Sequence, residues 1–188
     1  AVLGSACATV EDNFVAAKFA KSVLGTGHLD FVHHINPSFG DDILRNEDIT
    51  PNSKGAELTG VIPSKNGLDF NGIIKSIREG KIKALYVLED DILNDNPELE
   101  TVLSKLDLLI INATNFNKTT ILADIVFPAA TYAEKNGTYV NFAGRVQRIR
   151  PAIATNDVDR ALEGMSMSRL DKFGTKFDRW AQGKHYDA

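Results

Sequence analysis

Short apolar runs alternate with amphipathic stretches along this chain, and that alternation restricts the fold more than any other feature. Val2–Ala6, Ala84–Leu88, Leu108–Ile111 and Ile125–Phe127 are apolar runs of strand length, and Leu29–Val32 reads as a further strand. Strands buried on both faces have this pattern. Between the first two strands, Thr9 and Asp12 stand three apart as in a capping box and open a helix. Phe14, Val15, Phe19, Val23 and Leu24 recur there near helical spacing, and Gly25 takes the position that ends it. Phe70–Arg78 is amphipathic, with Ile73, Ile74 and Ile77 on one side and Gly80 as its stop. Pro97 suits the first turn of another helix, whose apolar side is Leu99, Val102, Leu103 and Leu106. Strands alternating with helices predict an α/β fold: a Rossmann-like parallel sheet with helices on both faces.

Two regions depart from the alternation. Residues 36–66 are rich in Pro, Gly, Asn and Asp and read as one long connection. After Phe127 come a proline stop and two extended segments punctuated by Gly137 and Gly144, which predict a terminal β-hairpin-like segment. Beyond Arg150 the chain becomes charged with scattered Leu, Met, Phe and Trp180, as expected of a C-terminal helical tail. The predicted organisation is an α/β domain over residues 1–155 and a helical tail over 156–188.

Bulk properties exclude several classes. With 188 residues the chain can bury one full core. Its net charge of −4 disfavours a general nucleic-acid or anionic-membrane binder. No apolar run approaches the roughly 20 residues of a membrane span. Cys7 is the only cysteine. It can neither form an internal disulfide nor hold an iron–sulfur cluster, which needs about four thiolates, and a buried strand-end thiol is expected. The start lacks a secretory leader and opens directly on a strand, which predicts a piece of a longer polypeptide.

In open parallel sheets ligands bind at the carboxyl ends of strands. Three such ends are legible: Ser5–Thr9, Glu89–Asp91 and Asn112–Asn115. Asp90, Asp91, Asn94, Asp95 and Glu98 form an acidic cluster but lack the mid-loop glycine of a calcium loop, so a solvated acidic loop is expected. His33 and His34 are adjacent and point to opposite sides of an extended chain, so one is expected to be buried and hydrogen-bonded and the other exposed. No metal site and no catalytic nucleophile pair is predicted. Arg145, Arg148 and Arg150 suit either a solvated basic edge or a contact to a neighbouring domain.

The order of several short motifs resembles the molybdopterin oxidoreductase family. Ser5-Ala6 with Thr9, Glu11 and Asn13 is similar to the family's Ser-Ala-x-x-Thr-Asn-Glu-x-Asn lead into its first helix. Gly25-Thr26 with Asp30 resembles its Gly-Thr-Asn-Asn-x-Asp turn. Asn52-Ser53-Lys54-Gly55-Ala56 with Gly60 and Pro63 is similar to its Asn-x-x-Gly-Ala loop. Thr119, Ala123-Asp124 and Pro128 match its threonine and Ala-Asp-Val-Val-Leu-Pro segment. The family holds formate dehydrogenases, nitrate reductases and the large iron–sulfur subunit of NADH–quinone oxidoreductase, which differ in whether they hold a cofactor.

Two departures bear on the function. Cofactor-binding relatives usually carry Gly-x-Asn-Pro where this chain has Glu89-Asp90-Asp91-Ile92, and often an aspartate where it has Ala113. Glycine admits close backbone approach and Asn can donate a hydrogen bond, whereas three carboxylates would repel a pyrophosphate. The resemblance therefore implies a domain of the large peripheral-arm subunit of a respiratory NADH–quinone oxidoreductase. It would have lost its cofactor site and would pack against other domains of its parent and neighbouring subunits. Its place would be cytoplasmic, peripheral to the inner membrane, with iron–sulfur clusters only elsewhere in the parent chain. The alternative is the part of a molybdenum or tungsten oxidoreductase that binds molybdopterin guanine dinucleotide, with Ser5, Thr9, Glu11 and Asn52 lining the site.

Overall fold

The computed structural model describes residues 1–153. The tail expected over 156–188 lies outside them. In chain order the elements are β1 (Val2–Gly4), α1 (Val10–Lys18), β2 (Leu29–Phe31), α2 (Ser53–Leu58), α3 (Phe70–Arg78), β3 (Ala84–Leu88), α4 (Ile92–Asp95), α5 (Glu100–Leu103), β4 (Leu108–Ala113), α6 (Lys118–Leu122), β5 (Ile125–Pro128), β6 (Gly137–Val140) and β7 (Val146–Ile149). A π-turn over Phe19–Val23 extends α1, and a 3₁₀ turn over Pro97–Leu99 leads into α5.

Strands β1–β5 form one parallel sheet in the order β2-β1-β3-β4-β5. The connection from β1 runs outward to β2, and the chain then crosses back to β3 on the other side of β1. That reversal marks a switch point between β1 and β3. Strands β6 and β7 form a separate antiparallel hairpin. The α/β fold with a terminal hairpin is therefore as the sequence predicts.

Successive strand residues face opposite sides, and each side has its own core. Leu3, Leu85, Val87, Leu109, Ile111 and Val126 pack with Ile73, Ile74 and Ile77 of α3 and Val102 and Leu103 of the α5 region. Val2, Leu29 and Phe31 pack on the other side with Ala17 and Ala20 from α1 and its extension, Ala56 of α2, and Val61.

Two sequence expectations change here. The buried side of α1 is Asn13, Ala16 and Ala17, while Phe14, Val15, Val23 and Leu24 are exposed. Small residues let the helix axis approach the sheet closely, so the large apolar ones turn outward. The long connection is also not structureless: it contains α2, with Ser53, Gly55 and Ala56 buried.

Candidate functional site

The carboxyl ends of β1, β3 and β4 meet beneath the β6–β7 hairpin. The capping box predicted at Thr9 is present: its hydroxyl accepts from Asp12 N–H at 3.1 Å, and Asp12 accepts from the Thr9 backbone. The hairpin rests on this cap so closely that a Cβ on Gly137 would lie 2.3 Å from Thr9 Cγ2. Only glycine fits there. Glu11 takes the first hairpin strand, its carboxylate accepting from Thr138 N–H at 2.9 Å and from the Thr138 hydroxyl at 2.8 Å. These bonds outweigh the partial loss of water and hold the Glu11 carboxyl below its ordinary range.

Asn52 fastens the same hairpin from the other side. Its Oδ1 accepts from Val140 N–H at 2.7 Å, and its Nδ2 donates to the Ala8 carbonyl at 2.7 Å. A Cβ on Gly55 would lie 2.0 Å from Asn52 Oδ1, which gives the Asn-x-x-Gly spacing a steric reason. Ser5 is buried, with its hydroxyl donating to the Glu89 carbonyl at 3.1 Å and accepting from Cys7 N–H at 3.0 Å. The buried Asn13 side chain ties Ser5 N–H and the Ser5 carbonyl to the start of α1. Thus Ser5, Thr9, Glu11 and Asn52 do converge on one edge, and the polar groups of each bond to this chain.

The three carboxylates after β3 diverge. Glu89 has φ of 42°, in the left-handed region that favours glycine. Its side chain lies over the switch point and meets Lys135 at 2.8 and 3.0 Å, and Lys135 also donates to Asp12 at 2.9 Å. Burial raises the Glu89 carboxyl, with Lys135 pulling against it. Burial lowers the Lys135 ammonium, but Glu89 and Asp12 together carry it above its ordinary value. Asp90 is buried and turns away onto His34, whose Nε2 lies 3.1 Å from it; His34 Nδ1 lies 2.6 Å from Asp95. The bond to Asp90, offset by burial and aided by Asp95, raises His34 to about 9. Asp91 accepts from Thr119 N–H at 3.0 Å and its hydroxyl at 2.7 Å, fixing the start of α6.

The expected solvated acidic loop is therefore a set of partnered carboxylates. His34 is the hydrogen-bonded histidine and His33 the exposed one, as their adjacency predicts. Among the described residues no three or more His, Cys, Asp or Glu groups are placed to hold a metal ion. Cys7 corrects another expectation: it is exposed, because the chain turns outward at the strand end. Crowding around the thiol, followed by Asp90, Glu89 and Asp48, pushes it up to about 11. Lys135 escaped sequence reasoning. Its partners lie 46 and 123 residues away, and no local pattern signals such a contact.

Beside this network a cavity of about 740 Å³ opens between the strand ends and the hairpin, lined by Cys7, Glu89, Thr114, Tyr139, Asn141 and Arg148, among others. Arg148 is exposed on β7, and Tyr139 donates to the Cys7 carbonyl at 3.3 Å. Among the described residues no helix is long and apolar enough to cross a membrane.

A parallel sheet with a switch point and a separate hairpin at the strand ends defines an open, doubly wound α/β domain. The chain belongs to the molybdopterin oxidoreductase family, whose model matches residues 6–160. It is 40% identical over 96 residues to the NADPH-Fe(3+) oxidoreductase subunit alpha of Geobacter sulfurreducens, covering 50% of this chain and 11% of that protein. Over 107 residues it is 36% identical to a putative formate dehydrogenase of Bacillus subtilis, covering 55% and 11%. Over 101 residues it is 38% identical to an NADH-quinone oxidoreductase subunit of Rhizobium meliloti, covering 52% and 11%. The matched stretch thus spans about a ninth of each relative, and the relatives divide between these activities.

Proposed function

We propose that this is a scaffold domain of the large peripheral-arm subunit of a respiratory NADH–quinone oxidoreductase, in which an ion-paired clasp has replaced a dinucleotide seat. One observation carries the reading: Glu89 holds the left-handed backbone of a glycine position but projects a carboxylate over the switch point onto Lys135 and Asp12. One cation between two carboxylates leaves the clasp net negative. A pyrophosphate approaching there would meet like charge rather than free backbone N–H donors. Ser5, Thr9, Glu11 and Asn52, which would line such a site, have their side-chain groups bonded within the chain. On these grounds the domain does not suit molybdopterin guanine dinucleotide, and no catalytic step is assigned to it. Its role is to present packing surfaces to the rest of its parent and to neighbouring subunits, cytoplasmic and peripheral to the inner membrane. The similarity to the NADH-quinone oxidoreductase subunit of Rhizobium meliloti supports this reading.

The second reading, the pterin-dinucleotide part of a molybdenum or tungsten oxidoreductase, is favoured by the cavity beside Tyr139 and Arg148. Elemental analysis of the purified parent protein, with extraction of pterin, separates the two. The expected outcome is molybdenum, tungsten and pterin far below one per chain. Stoichiometric pterin would overturn the scaffold reading.

A further inference from the structure

A second cavity, of about 670 Å³, opens between the end of β2, the start of α3 and the end of α4. It shares no lining residue with the cavity beside the hairpin. Its size is that of small-ligand sites, roughly 300–1,000 Å³.

Asp30, in the middle of β2, lines this cavity and is only 7% exposed. One carboxylate oxygen accepts from Phe70 N–H at 2.6 Å. The other makes no hydrogen bond within the described chain. Among the described residues no fully buried side-chain oxygen lacks a partner, so this oxygen is open to the cavity. Burying a carboxylate is costly unless it is paired, and Asp30 has a single N–H. Asp69 stands beside it as the cap of α3, with one oxygen on Gly72 N–H at 2.8 Å and the other without a hydrogen bond in the described chain. The two carboxylates thus flank one peptide, the link from Asp69 to Phe70, and each keeps an oxygen free. The exposed Asn71 side chain, also unbonded within the described chain, adds a carbonyl.

By formal charge the lining is negative. Asp30 and Asp69 each contribute a carboxylate, and the single cation of His34 is shared by Asp90 and Asp95. Among the described residues no lysine or arginine lines the cavity. The start of α3 offsets about half a charge, which leaves the balance unchanged in sign. Phosphates and carboxylates would therefore meet like charge. A metal ion lacks a ligand set, since no three His, Cys, Asp or Glu groups are placed to hold one among the described residues. The open oxygens can only accept, so the ligand must donate. Ile35 and Ile49, both half-exposed, give the cavity an apolar wall. A guanidinium on an alkyl stem is a planar cation that donates without accepting, and it meets each of these conditions.

We propose that this cavity binds a guanidinium-bearing ligand, held by the free oxygens of Asp30 and Asp69 with its stem along Ile35 and Ile49. The inference does not depend on the cofactor reading, which concerns the other cavity.

Amide NMR spectra of the full 188-residue chain, titrated with N-acetyl-L-arginine amide, test it. Saturable shifts in the millimolar range are expected at the Phe70, Asn71 and Gly72 amides. The uncharged isostere N-acetyl-L-citrulline amide should leave them in place. Asp69→Asn keeps a good helix cap and should weaken binding about tenfold, as should Asp30→Asn, each through one lost charged hydrogen bond. Free L-arginine, as a second probe, separates the sources: tighter binding than the amide marks a free small molecule, and equal or weaker binding marks an arginine within a peptide. Saturable binding of either probe at these amides supports the proposal. Equal shifts with the citrulline amide overturn it, as do shifts scattered over other carboxylates, no saturable shift with either arginine probe, or an affinity that neither substitution changes.

Discussion

Glu89 and Asp90 are neighbours in sequence, and each ends at a cation shared with a second carboxylate, but the two cations differ in kind. Lys135 joins Glu89 to Asp12 across the switch point, with side-chain exposures of 16% for Lys135 and 11% for Glu89. His34 joins Asp90 to Asp95 on the other side of the strand end, with exposures of 12% for His34, 4% for Asp90 and 46% for Asp95. The lysine keeps its charge throughout the physiological range, since its partners hold it above an already high value. The histidine keeps its charge only while those two carboxylates hold its proton. One strand end thus carries a permanent clasp and a titratable one.

Lys135→Met should show the largest effect. It leaves Glu89 and Asp12 close together without their cation, and removing one partner of a largely buried pair costs about 2–3 kcal/mol once solvent at Asp12 is allowed for. Urea unfolding at neutral pH measures it. A loss no greater than that of an ordinary surface pair would break the comparison.

The histidine clasp sharpens it through pH. The folded pKa of His34 is raised from 6.5 to about 9. Its stabilisation is therefore complete below 6.5 and is lost as pH rises through about 9. After allowance for the exposed Asp95, the contribution is about 1–2 kcal/mol. The urea midpoint should fall over that window in the unsubstituted chain and much less in His34→Gln. Equal slopes in the two would remove the histidine from the account.

Glu89→Gly should change least, within about 1 kcal/mol, because relief of the left-handed backbone offsets the lost ion pair while Lys135 keeps Asp12. If it cost more than Lys135→Met, the clasp would owe its strength to something other than the lysine.

The sheet was legible because its strands are apolar runs of strand length, as at Leu85, Val87 and Leu88, although β4 and β5 bury only alternate residues rather than both faces. Hydrophobic spacing misled at α1, where Ala16, Ala17 and Ala20 carry the packing and Phe14 and Val15 do not. Apolar content alone does not say which side of a helix has a neighbour. At the candidate site, Ser5, Thr9, Glu11 and Asn52 gather at the strand ends under the hairpin, where each bonds within the chain. The neutralisation of Glu89 and Asp90 was not legible, because Lys135 and His34 reach them from distant turns. Charge read along a sequence counts groups, whereas repulsion depends on where their counter-charges fold.

The hairpin's position has a consequence for biogenesis. Glu11 waits for Thr138, the Cys7 carbonyl for Tyr139 and Asn52 for Val140. During synthesis the first helix and the loop behind it emerge well before the segment that completes their bonding. Until residue 140 has cleared the ribosome, this end of the nascent domain stands open to water and to whatever the cell supplies there.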